Sequence, residues 1–69
     1  MMKIRYNREV DILTIQLSET SADHAEESGG MITHLSAQGK VVFIEIQGGR
    51  EFLLGSITSL VNEEEVRLP

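Results

Sequence analysis

The residues that could do chemistry are few. They are His24 and His34, the acids Glu26 and Glu27 beside the first, the acids Asp11 and Glu45 inside apolar runs, and the glycine pairs Gly29-Gly30 and Gly48-Gly49. Two histidines with neighbouring carboxylates can hold a metal ion if the fold makes them converge. A hairpin centred on Gly29 would place His24 opposite His34 on neighbouring strands, making them candidate metal ligands. The helical and knuckle spacings of known metal motifs are missing, and the plainer alternative is an exposed cross-strand pair. Asp11 and Glu45 would form an acid–base pair only if the sheet brought them together. More simply, Asp11 ends a turn and Glu45 pairs with Lys3 or Arg5 across strands. Serine, histidine and aspartate all occur, but no nucleophile elbow accompanies them. Gly48-Gly49-Arg50 precedes a helical stretch, and a helix N-terminus can take an anion. Phosphate-loop spacings are absent, so these glycines read as turns.

These residues must be positioned by a small number of elements. Gly39 to Ile46 is the longest apolar run, β-branched and bounded by glycines, as a central strand is. Val42, Ile44 and Ile46 share one side of it, and Val41, Phe43 and Glu45 the other. Ile4 and Tyr6 alternate with Lys3 and Arg5 in a first strand, and Asn7 to Val10 supply a turn through the left-handed tolerance of Asn. Asp11 to Leu17 form a second strand, with Leu13, Ile15 and Leu17 on one face. Ser18 to Asp23 form a polar loop. His24 to Ser28 can be a short edge strand whose charges discourage aggregation. Met31 to Leu35 is a further strand, joined to the central one through Ser36 to Gly39. After Gly49 the period changes: Leu53, Leu54, Ile57, Leu60 and Val61 recur at helical spacing. The helix is expected within 51–62, starting near Glu51 or, if Ser56 caps it, one turn later, and weakened at Gly55. Glu63-Glu64-Glu65 would oppose its macrodipole and so mark the exit, and Val66 to Pro69 form a tail or a short added strand.

The expected architecture is α+β: a small antiparallel sheet of four to five strands within 2–47, arranged as a meander, with one C-terminal helix. At 69 residues this is a single small domain. Chains below roughly 70–80 residues usually need a staple. The chain has no cysteine, which removes disulfides and thiolate zinc sites and leaves oligomerisation. One helix covers one face of a sheet, so the other would show Ile12, Val41 and Phe43 to water, and such a patch is usually an interface. A homodimer is therefore expected. Phe43 lies either under the chain's own helix or in that contact. The net charge of −5, with eleven acids against six scattered basic residues, argues against nucleic acid and for a basic protein as any charged partner. No apolar run reaches the ~20 residues of a membrane helix, and the start lacks the apolar core of a signal peptide. A cytoplasmic location is the expectation, and no cofactor is implied.

Lys3 to Tyr6, Asp11-Ile12-Leu13-Thr14-Ile15-Gln16-Leu17, an acidic middle, and Gly39 to Ile46 together form a pattern that resembles the Domain of Unknown Function 2283 family of small prokaryotic proteins. The resemblance covers roughly residues 2 to 46. The chain departs from it at Phe43, where the family often has Gly, at Ser36 to Gln38, where an acid is usual, and at Gln47-Gly48-Gly49. The resemblance implies a small β-rich cytosolic protein of uncharacterised role, carries over no catalytic residues, and makes an antitoxin-like role imaginable. The leading expectation is a non-enzymatic interaction module. The alternative is a metal- or small-ligand-binding protein using His24 and His34, with an enzyme third.

Overall fold

The computed structural model describes the backbone of residues 2–61 and the side chains of residues 2–56. The elements are β1 (Lys3–Asn7), β2 (Ile12–Gln16), β3 (His24–Ser28), β4 (Met31–Leu35), β5 (Val41–Gln47) and α1 (Gly49–Val61). The five strands form one sheet in the order β1-β2-β5-β4-β3, with every neighbouring pair antiparallel. The protein is α+β, an antiparallel sheet followed by one helix. The apolar run that reads as central is central: β5 lies between β2 and β4. The segment after β2 carries the chain to the far edge, with the Leu17 and Ser18 N–H groups both donating to the Val42 carbonyl, at 2.9 and 3.2 Å.

Alternation divides the sheet into two faces. One, the helix side, carries Leu13, Ile15, Ile44 and Ile46; Leu13 pairs with Ile46 and Ile15 with Ile44. Its centre is the core: Leu13, Leu35, Val42 and Ile46 are the buried apolar side chains among the described residues. The pairing of β4 with β5 is broken by a bulge, stepping from His34–Phe43 to Leu35–Val41. That extra residue breaks the alternation at Val41, whose register partner is the helix-side Leu35.

The turn between β1 and β2 differs from expectation in which residue is left-handed. Asn7 keeps its backbone in the strand and uses its side chain, whose Oδ1 accepts the Glu9 N–H at 3.0 Å. Asp11 takes the positive φ, 54°. The helix also begins two residues before the expected Glu51. Gly48, at φ 69°, turns the chain out of β5, and the Gly49 and Arg50 N–H groups then find acceptors on Asp11, at its carbonyl (3.1 Å) and at Oδ1 (3.0 Å). A side chain distant in sequence thus does the work of an N-cap. Gly49 also packs against β2 so closely that a Cβ there would lie 2.8 Å from both the Leu13 Cβ and the Leu13 N. The Glu63 to Glu65 exit and the tail Val66 to Pro69 lie outside the described residues.

Candidate functional site

The face turned away from the helix carries most of the polar chemistry. Register places two rows across all five strands. One row runs Arg5, Thr14, Glu45, Ile32, Glu27. The other runs Lys3, Gln16, Phe43, His34, Ala25. No residue of either row is buried. At the centre, the His34 ring stacks on Phe43, with centroids 3.8 Å apart and planes 12° from parallel. The same imidazole reaches along the face, its Nε2 donating to Glu45 Oε1 at 2.5 Å. Stacking fixes the ring plane and the carboxylate fixes its rotation, so the three side chains form one ordered cluster. A shallow depression of about 240 Å³ borders it, lined by Arg5, Thr14, Gln16 and Phe43.

The expected histidine pair does not form. Gly29 and Gly30 both have positive φ, 56° and 82°, as a two-residue type I′ hairpin turn requires. The hairpin is therefore centred between the two glycines rather than on Gly29. His34 faces Ala25 and His24 faces Leu35. A shift of one residue puts a side chain on the other face, so the two histidines lie on opposite sides of the sheet. His24 is exposed and bonds its neighbour Asp23, Nδ1 to Oδ2, at 3.0 Å. Among the described residues, no group of three His, Cys, Asp or Glu side chains is arranged to hold a metal ion.

Glu45 takes His34 as its partner instead of the expected Lys3 or Arg5. Arg5 is in the same row, but Thr14 stands between them. Asp11 is equally far from any acid–base pairing with Glu45, because it is committed to the helix start. Its Oδ1 accepts the Tyr6 hydroxyl at 2.7 Å as well as the Arg50 N–H. The Tyr6 bond, then the Arg50 N–H, hold the Asp11 carboxyl below its ordinary pKa. The Tyr6 phenol is raised in turn, first by donating to Asp11 and then by partial desolvation. The helix N-terminus that could have taken an anion is thus filled by a residue of the chain itself.

Phe43 does not lie under the chain's own helix. It is on the face opposite Leu13, the residue on which the helix begins. Ile12 shares the Phe43 face, both half-buried, while Val41 is exposed at the start of β5. Residue types alone do not announce the stacked cluster, since it depends on the bulge that sets His34 opposite Phe43. Its only sequence signal is the presence of both residues on strands flanking one short loop.

Among the described residues, no helix is long and apolar enough to cross a membrane. A family model described as a protein of unknown function (DUF2283) matches residues 3–48, from the first strand to the glycine that ends the fifth. No curated protein and no solved structure matches the chain.

Proposed function

For a chain that belongs to the DUF2283 family, we propose the role of a non-enzymatic protein-interaction module that works as a homodimer through its helix-free sheet face. The observation that supports this most is the ordered His34–Phe43–Glu45 cluster on an open face, with half-buried Ile12 and Ile32 on the same surface. An aromatic and aliphatic centre rimmed by charge is the usual anatomy of a protein contact. The small core points the same way, with only four apolar side chains buried among the described residues. Phe43 and Ile12 are the contact residues, with Val41 exposed at the start of β5.

Chemistry at the cluster has less support. Among the described residues no serine, threonine or tyrosine hydroxyl is hydrogen-bonded to the His34–Glu45 pair, and the depression beside it is shallow and open. An antitoxin-like regulator is the form of module that suits a −5 chain: its second partner would be a basic protein, attracted by net charge. Molar mass by light scattering over a dilution series tests the proposal. The expected result is a mass approaching twice the 7.7 kDa of the chain at high concentration. A mass that stays at one chain throughout overturns it.

A further inference from the structure

The charge on the helix-free face is segregated. Lys3 and Arg5 stand on it at the β1 edge, and Glu27 stands on it at the β3 edge, about 19 Å away across four strand spacings. All three are exposed, and none has an ion pair among the described residues. A net charge of −5 conceals this polarity, because acids elsewhere outnumber the basic edge.

We propose that two copies pack by this face about a two-fold axis running parallel to β5, so that Arg5 of each copy meets Glu27 of the other. This rests on the homodimer proposed above and fixes its geometry. A face-to-face pair of sheets has two simple two-fold arrangements with aligned strands. An axis across the strands lays β1 over β1 and β3 over β3, setting Lys3 and Arg5 against their own kind and Glu27 against Glu27. An axis along β5 lays β1 over β3. It also brings Phe43 against Phe43 at the centre, with Thr14 over Ile32. Glu45 approaches its own copy there, and each Glu45 arrives already accepting the His34 N–H.

Five strands at about 4.8 Å and five residues at about 3.4 Å make a face of roughly 24 by 17 Å. Two such faces cover on the order of 800 Å² in total, below the range of tight specific complexes. The dimer is accordingly a weak one, dissociating within a range that dilution can reach, and its rim charges are a measurable part of it.

Sedimentation equilibrium on the whole chain tests this with Arg5→Glu, Glu27→Arg and the double exchange, each checked for folding by circular dichroism. Each single reversal creates two like-charged contacts by symmetry. It should raise the dissociation constant about tenfold or more at low salt. The double exchange should restore wild-type association, and the contrast should shrink as salt screens it. Single reversals that leave the dimer intact overturn the geometry while keeping the dimer, and so does a double exchange weaker than either single. A wild type that is monomeric at every concentration overturns the homodimer itself.

Discussion

Replacing Gly49 with alanine sets packing against helix propensity, and the two predict opposite signs. Gly49 is the first residue of α1. By propensity alone, alanine in a helix gains up to about 1 kcal/mol over glycine, and less in the first turn. The added Cβ, however, would stand 2.8 Å from the Leu13 backbone N, 2.8 Å from its Cβ and 3.3 Å from its Cα. A backbone atom cannot step aside by changing rotamer. Leu13 is 1 % exposed and paired with Ile46 at 0 %, so the strand has no room to retreat. Overpacking of this kind costs about 1–3 kcal/mol, which exceeds the propensity gain and leaves a net loss of about 1–2 kcal/mol. In a domain of this size that lowers Tm by roughly 5–15 °C. Gly55→Ala is the matched control, for nothing lies within 4 Å of its added Cβ. It should gain about 0.5–1 kcal/mol and raise Tm by a few degrees. Thermal melts of the two variants at one protein concentration decide the matter. If Gly49→Ala stabilises as Gly55→Ala does, the helix does not seat on β2 at the distance described.

The Asp11 cap makes acid stability specific. Because its folded pKa is lowered, its stabilising effect is fully present above the ordinary carboxylate range near pH 4 and is lost as pH falls through the lowered value; urea midpoints of Asp11→Asn should be lower at neutral pH and should close on the wild type in acid. Tyr6 is raised, so its share is present below about pH 10 and lost as pH rises through the folded value; Tyr6→Phe should lower the neutral-pH midpoint and flatten the alkaline side. With His24 and His34 on opposite faces, zinc or nickel should not raise Tm, and a rise abolished by His34→Ala would contradict that geometry.

Much of the fold is legible in the residues because each strand has its own signal. The β-branched run from Val41 needs no context to be central, and the Gly29-Gly30 pair marks a hairpin unaided. What escapes the sequence is register. Centring the turn between the glycines instead of on Gly29 separates His24 from His34. A bulge at Leu35 and Val41, which no residue type announces, makes His34 a neighbour of Phe43. The helix start escapes for a different reason. The expected position near Glu51 follows from the apolar period alone, whereas the acceptors that fix the start come from Asp11, 39 positions from Arg50. Phe43 could be assigned to one face of its strand from alternation alone, but which face the helix covers is settled only by the fit of Gly49 on Leu13.

The central claim is that the helix-free face is the contact surface, and one paired measurement of mass tests it most directly. Phe43 lies on that face, while Ile4, 58 % exposed, lies on the helix side of β1 opposite Ile15. Sedimentation equilibrium of Phe43→Ser and Ile4→Ser should give a folded monomer for the first and a dimer like the wild type for the second. A dimer that survives Phe43→Ser and dissociates with Ile4→Ser would place the contact on the other side of the sheet and contradict the account.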